Sequence, residues 1–264
     1  MGEAVVHPRR AQIERIAFAQ NAEDIVLFRA FRDHPAGFYV DVGSGDPTEG
    51  SVTKNLVDGL GWTGIDIEPQ PALAHKLREA RPRSVIVGAA VGTATEDRHF
   101  YRLTDNWGMS TLYPEIAERH AKEGWTVQEE VIRTLTLEEV LEAHASRPID
   151  LLKVDVEGAE LEVFKSFDLS RWRPAVIVAE ATAPATELAT HGSWERLLLD
   201  AGYLLCLFDG LNRFYARSDA VELAQRLAVP ANVFDRFIQL HWWRALSVEG
   251  RLEADPAGAF AHVV

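Results

Sequence analysis

An apolar run at Leu151-Leu152-Lys153-Val154 leads straight into Asp155-Val156-Glu157-Gly158-Ala159-Glu160. A carboxylate at the carboxyl end of such a strand can take a proton from a reacting group or bind a metal ion, and Asp155 stands at that end. Glu157 and Glu160 fall where the first turn of a following helix would begin, a place where the helix dipole favours negative charge. For Glu160 that dipole role is sufficient by itself. Strand alternation puts Lys153 on the face of Asp155, free to pair with it or with Glu180, which ends the next strand candidate. Glu180 offers a second carboxylate across the same crevice and Glu157 a third. Oxygen-only ligation by Asp155 and Glu180 would suit Mg2+.

A second group lies at Phe38-Tyr39-Val40-Asp41-Val42-Gly43-Ser44-Gly45-Asp46. Gly43 and Gly45 let a backbone turn sharply and approach a ligand, and a helix after them would offer free N–H groups to an anion. A dinucleotide fingerprint needs a third glycine three residues on, where this chain has Thr48 after Pro47. That absence counts against a nicotinamide oxidoreductase, the main alternative reading. Asp41 would repel a pyrophosphate but suits an ammonium group. S-adenosylmethionine combines an ammonium, a carboxylate and a ribose, so it fits this turn; a plain structural turn is the other account. Downstream, Gly64-Ile65-Asp66-Ile67-Glu68-Pro69 puts two acids on one strand face. Glu68, nearer the strand end, is the candidate for the ribose hydroxyls, with Asp66 as its understudy or as a solvated or capping residue. Ala89 and Ala90, between Gly88 and Gly92, could flank an adenine.

The elements that must position these groups follow from periodicity. Strand candidates are Phe38–Val42, Gly64–Ile67, Ser84–Ala90, Ile149–Val154, Ala175–Ala179, Tyr203–Phe208 and Arg213–Ala216. Helical patterns lie between them at 50–60, 71–80, 136–143, 158–167 and 193–201. This alternation predicts an α/β chain with a doubly wound, mostly parallel sheet. The last two strands are too close for a crossover helix and predict an antiparallel edge hairpin. Ala11–Phe31 carries helical spacing broken at Gln20-Asn21-Ala22-Glu23-Asp24, with Asn21 capping the second helix. The stretch between the third and fourth strands is less regular. The expected division is a helical segment 1–34, able to act as a lid, a cofactor-binding domain 35–218, and a helical tail 219–264. Trp242-Trp243 in that tail read as core or subunit contacts.

With 264 residues, 47% apolar and 25% charged, the chain reads as an ordinary globular protein. Its net charge of −13 disfavours nucleic acid and anionic membrane surfaces as partners. A small or neutral substrate fits better. Cys206 is alone, which excludes an internal disulfide; it reads as a buried core thiol. No stretch resembles a signal peptide or a membrane span, so the expected compartment is the cytoplasm.

Taken together, these segments resemble the FkbM-type methyltransferases. The matching words are Gln20-Asn21-Ala22-Glu23-Asp24, Asp41-Val42-Gly43, Gly61-Trp62-Thr63-Gly64, Ile67-Glu68-Pro69, Ser110-Thr111-Leu112, Thr136-Leu137, Lys153 to Glu160, Trp172-Arg173-Pro174 and Glu180. The family commonly has Ala-Asn where this chain has Ser44-Gly45. The resemblance implies a Rossmann-like, class I methyltransferase sheet of seven strands, the seventh antiparallel. It also implies methyl transfer from S-adenosylmethionine to a hydroxyl, often on a sugar of a polysaccharide, glycolipid or natural product. The stretch Phe208 to Tyr215 looks like the version found near glycan biosynthesis, which points to a saccharide acceptor. Within that frame Asp155 is the candidate base or metal ligand. The cofactor set is Asp41, Gly43, Ser44, Gly45, Asp66, Glu68, Ala89, Ala90, Asp155 and Gln20. Asn106, Trp107, Ser110 and His191 sit on loops that could touch the acceptor. A non-sugar hydroxyl and a non-catalytic scaffold are the remaining alternatives, and a homo-oligomer is a possible assembly.

Overall fold

In the computed structural model, which describes residues 13–248, the chain runs β1 (Arg15–Ala17), α1 (Glu23–Phe31), β2 (Phe38–Val42), α2 (Lys54–Leu60), β3 (Thr63–Ile67), α3 (Pro71–Ala80) and β4 (Val85–Val87). It continues with β5 (Ala90–Val91), β6 (Asp97–Leu103), α4 (Pro114–Lys122), β7 (Val127–Leu135), α5 (Leu137–His144), β8 (Leu151–Val154), α6 (Glu160–Lys165) and α7 (Leu169–Trp172). The last elements are β9 (Val176–Glu180), α8 (Glu195–Asp200), β10 (Tyr203–Phe208), β11 (Asn212–Arg217), α9 (Val221–Leu227), β12 (Phe237–Gln239) and α10 (Leu240–Val248).

Seven strands form the central sheet in the order β10-β11-β9-β8-β2-β3-β4. The pairs β9-β8, β8-β2, β2-β3 and β3-β4 are parallel. Only β11 runs against its neighbours, inserted between β9 and β10. The sheet is therefore mixed, as the hairpin reading required. β2, β8 and β9 are buried along their whole length, which is why they read as continuous apolar runs. Alternation splits their side chains between two cores. Val40, Val42, Leu152, Val154 and Ile177 pack with α5, α6 and α8 on one face. Tyr39, Leu151, Val176 and Val178 pack with α1, α2 and α9 on the other. Local signals set several helix ends. Pro71 opens α3 at its first turn, and Thr136 and Glu139 close a reciprocal capping box on α5.

Several expectations need correction. The first helical segment is absent from 15–17; those residues form β1, paired in parallel with β12. A partner more than two hundred residues away cannot be seen in local periodicity. Residues 1–12 and 249–264, including the start of the expected lid and the end of the tail, lie outside the described residues. Ala22, not Asn21, occupies the cap of α1, in a left-handed conformation at φ 60°. The third strand ends at Val87, and Ala90–Val91 leaves the main sheet to pair with β7. The less regular stretch is a second sheet, β5-β7-β6, with α4 between its long strands. The tail is helical at α9 and α10 but is interrupted by β12. Trp243 is buried while Trp242 is exposed, and Cys206 is half-buried against the α1/α2/α9 core.

Candidate active site

The strand order reverses between β8 and β2, the place where an open α/β sheet leaves a crevice at its carboxyl edge. A cavity of about 590 Å³ opens there, in the size range of small-molecule sites. Its walls come from the segments that follow β2, β3, β8 and β9, and from the loop 106–112.

The glycine turn forms one wall. The N–H groups of Gly43 and Ser44 donate to the Ile67 carbonyl at 3.0 and 3.2 Å, which ties the turn to β3. Gly43 and Gly45 have φ of +76° and +63°. Their close neighbours are protein groups. A Cβ on Gly43 would fall 1.9 Å from the Asp155 carbonyl oxygen, and one on Gly45 would fall 2.3 Å from the Trp107 ring. No helix follows directly, because α2 begins only at Lys54. The Gly45 N–H already donates to Glu68 Oε2 at 2.9 Å. The expected anion cradle is therefore absent from this turn. Ser44 also lines the cavity, and its hydroxyl donates to the Asp41 carbonyl at 2.8 Å.

Glu68 stands beyond the end of β3 and lines the cavity. Its second oxygen accepts the Gln70 N–H at 2.8 Å. Burial pushes its carboxyl up to about 7, against the pull of the N–H groups of Gln70 and Gly45. Each oxygen keeps a further lone pair that a hydroxyl could use. Ala89 and Ala90 line the cavity beside it.

Asp41 and Asp66 are placed elsewhere. They sit side by side in the β2–β3 register and line no part of the cavity. Both point into the layer between the sheet and α2. Asp41 accepts from Thr53 Oγ1 at 2.9 Å and faces Lys153 Nζ at 3.3 Å. Asp66 accepts from Tyr39 Oη at 2.8 Å and pairs with the buried guanidinium of Arg81. Burial raises Asp66 to about 6 despite Arg81. These acids are internal ion-pair partners, because alternation carries them below the crevice and only Glu68, past the strand end, clears it.

On the opposite wall three carboxylates meet. Asp155, Glu157 and Glu180 line the cavity, and one oxygen of each lies within 4.8 Å of the others. Glu157 and Gly158 both take positive φ, 53° and 105°, which makes the sharp turn after β8. The Thr111 hydroxyl holds that turn by donating to the Glu157 carbonyl at 2.9 Å. Burial, and next the charge of Asp155, push the carboxyls of Glu157 and Glu180 well above the usual range. Lys153 pairs with Asp155 at 3.5 Å and with Asp41, and donates to the Gly43 carbonyl at 2.6 Å; it does not reach Glu180. Burial alone would lower the Lys153 ammonium, but Asp41 and Asp155 outweigh it and hold it above its ordinary value. Glu160 turns back to accept the N–H groups of Gly158 and Val156 at 3.1 and 3.3 Å. It anchors the turn and lies outside the cavity wall.

The family model described as Methyltransferase FkbM domain matches residues 41–205, more than half of the chain. The chain belongs to the FkbM methyltransferase family. Among solved structures, it is similar to magnesium protoporphyrin IX methyltransferase from Synechocystis PCC 6803 with bound SAM. That match has 10% identity and a TM-score of 0.40, over 74% of this chain and 77% of that one. It is also similar to precorrin-6y C5,15-methyltransferase from Geobacter metallireducens GS-15. There the identity is 14% and the TM-score 0.39, over 78% and 95% of the two chains. These likenesses are too distant to carry an argument. A comparison with curated proteins returned no match.

The remaining walls of this FkbM-family cavity come from segments that the sequence marked only in part. Asn106, Trp107 and Ser110 line it as expected of their loop. The Ser110 hydroxyl, however, donates to the Trp107 carbonyl at 2.8 Å and accepts the Leu103 N–H at 3.1 Å. Gln70 Nε2 donates to that same carbonyl at 3.1 Å, so Ser110 and Gln70 hold the loop in place. Gln20 and Asn21 reach the rim because the two acids after them are clamped. Glu23 accepts from Asn212 Nδ2 at 2.5 Å, and Asp24 from Asn55 Nδ2 at 2.6 Å. His191 is not part of the wall. After β9 the chain folds back through a bridge between Thr182 and Ala189, so Ala185, Thr186 and Glu187 take the rim and His191 stands 3.9 Å from Glu195. Nothing in residue type marked 185–187. Gly210 and Leu211 line the cavity too; the sequence marked them as the turn of the edge hairpin and within the family stretch, with no role at the site.

Proposed function

We propose that the protein transfers a methyl group from S-adenosylmethionine to a hydroxyl of a sugar. Family membership supports methyl transfer. The observation that carries the donor and acceptor assignment is the pairing, in one cavity, of Glu68 with the carboxylates of Asp155, Glu157 and Glu180. Such walls disfavour a pyrophosphate and favour a ligand with a ribose and positive charge. Glu68 would accept the ribose hydroxyls, and Ala89 and Ala90 would flank the adenine. The role first given to Asp41 passes to the cavity carboxylates. Bound there, S-adenosylmethionine supplies a methyl group already activated by its sulfonium.

The chain's own task is to orient the acceptor oxygen and remove its proton. Asp155 follows directly after β8 at the cavity wall, with its side chain 38% exposed, open to an acceptor. As the new O–C bond forms and the C–S bond breaks, the hydroxyl proton passes to this cluster. Trp107 offers a flat apolar surface for a sugar face, and Asn106, Gln20, Asn21, Thr186 and Glu187 offer polar partners around it. The loop at 210–211, within the stretch that resembles the glycan-associated members, lines the same cavity.

The test is mass spectrometry of reactions containing the enzyme, S-adenosylmethionine and a panel of saccharides, macrolide aglycones and phenols. The expected product is a sugar methyl ether, with one S-adenosylhomocysteine released per ether. Methylation confined to nitrogen, carbon or non-sugar hydroxyls would overturn the acceptor assignment. Calorimetric binding of NAD without binding of S-adenosylmethionine would overturn the donor.

A further inference from the structure

Glu180 ends β9 with 6% of its surface exposed, and its Oε2 has no hydrogen-bond donor. From the turn after β8, Glu157 brings a second buried oxygen that also lacks one. Asp155 supplies the third carboxylate. Among the described residues no lysine or arginine nitrogen comes within 4.0 Å of Glu157 or Glu180. Lys153 is held by Asp41, Asp155 and the Gly43 carbonyl. Arg119, whose charge acts on Glu157, donates to the Pro184 carbonyl at 2.7 Å and comes no closer than 4.0 Å to either carboxylate, although its buried Nε has no hydrogen-bond partner. Three acceptors thus converge with no donor matched to two of them, and such groups are costly to bury.

A shared ligand between them relieves this, and its chemistry can be read from the donors. All are hard carboxylate oxygens, the set that selects Mg2+, Ca2+ or Mn2+ over softer metals. Oxygens on one Mg2+ lie about 3–4 Å apart, as follows from bonds of about 2.0–2.1 Å at octahedral angles. Small side-chain rotations would close the present 4.8 Å spread to that distance. The three come from two adjacent strand ends and leave the cavity side open.

We propose that Asp155, Glu157 and Glu180 form a binding site for a hard divalent cation of the Mg2+ class, with its free positions facing the cavity. Two neighbouring oxygens of an acceptor, such as a vicinal diol of a sugar ring, would fill those positions. Coordination of one of them would ease loss of its proton. This use rests on the hydroxyl-transfer reading, whereas the cation site itself does not.

Mn2+ is the probe, followed by electron paramagnetic resonance on the full chain with neither donor nor acceptor present. Wild-type protein is expected to take up Mn2+ saturably, and Mg2+ to displace it. Glu180→Gln and Glu157→Gln should each weaken uptake roughly tenfold or more, a scale typical of lost metal-site groups. Circular dichroism melts establish that each variant is folded, and either folded variant suffices. No saturable uptake by the wild type, or uptake unchanged in a folded variant, would overturn the site. So would weaker S-adenosylmethionine binding in Glu180→Gln with no Mn2+ uptake by the wild type, which assigns the cluster to the donor's charge. Mn2+ uptake without any methylated sugar supports the site and overturns only the acceptor assignment.

Discussion

The Cβ that residue 43 lacks would lie 1.9 Å from the carbonyl oxygen of Asp155. The two strand ends that frame the crevice therefore touch through backbone, and the placing of Asp155 depends on the absence of a side chain at 43. Gly43→Ala adds a clash with main chain and a left-handed alanine at φ +76°, itself worth about 1–2 kcal/mol. The expected result is a loss of at least that much stability in urea titration, together with loss of turnover in the protein that remains folded. Wild-type turnover in a destabilised variant would show that the contact sets stability alone.

Glu68 holds the Gly45 and Gln70 N–H groups and faces the cavity with the lone pairs left over. Glu68→Gln keeps one acceptor but removes the charge. Calorimetry should show S-adenosylmethionine bound about 1–3 kcal/mol more weakly, the scale of hydrogen bonds to a charged group. Asp66→Asn is the contrast. It disturbs the buried pair with Arg81 and should lower the melting temperature without changing the donor's affinity. Equal affinity losses in both variants would remove Glu68 from its assigned role.

Much of this architecture was legible in the chain. The strands that abut the crevice are buried on both faces, so their apolar runs were plain, and Asp155, Glu157, Glu180 and Glu68 stand where those runs stop. What escaped was non-local. β1 reads as helix because its partner is β12, and the β6–β7 pair reads as irregular because it is only partly buried and lacks strict alternation. Asp41 misled for a different reason. Residue type shows a carboxylate near glycines, but only the register against Asp66 and Lys153 shows that it points into the layer beneath.

The acids of the N-terminal segment carry a pH signature. Burial raises Glu23 to about 8 and Asp24 to about 7. Above the ordinary carboxylate range the native state therefore binds more protons than the unfolded chain, so stability falls as pH rises. Their contribution is full below the unfolded values and is lost as pH passes through about 7 to 8. Glu23→Gln should flatten the decline in melting temperature between about pH 5.5 and about pH 8.5, leaving the smaller part due to Asp24 and other buried acids. A variant with the wild-type slope would show that Glu23 is ionised in the fold.

Lys153 is a buried cation held between the ends of β2 and β8, 3.3 Å from Asp41 and 3.5 Å from Asp155. Its removal leaves two carboxylates and the Gly43 carbonyl facing one another. Lys153→Met should cost about 3–5 kcal/mol, the range for breaking a buried pair by deleting one partner. The companion variant Lys153→Met with Asp41→Asn discharges the more buried acid and should recover part of that loss. Asp155→Asn alone should behave differently. Its side chain is 38% exposed, so the fold should persist while turnover drops about 10²–10⁴-fold, the usual contribution of a positioned base. Chemical denaturation of the three variants, read beside single-turnover rates, separates the charge that holds the crevice together from the charge that acts in it. Full turnover in folded Asp155→Asn would move the proton to Glu157 or Glu180.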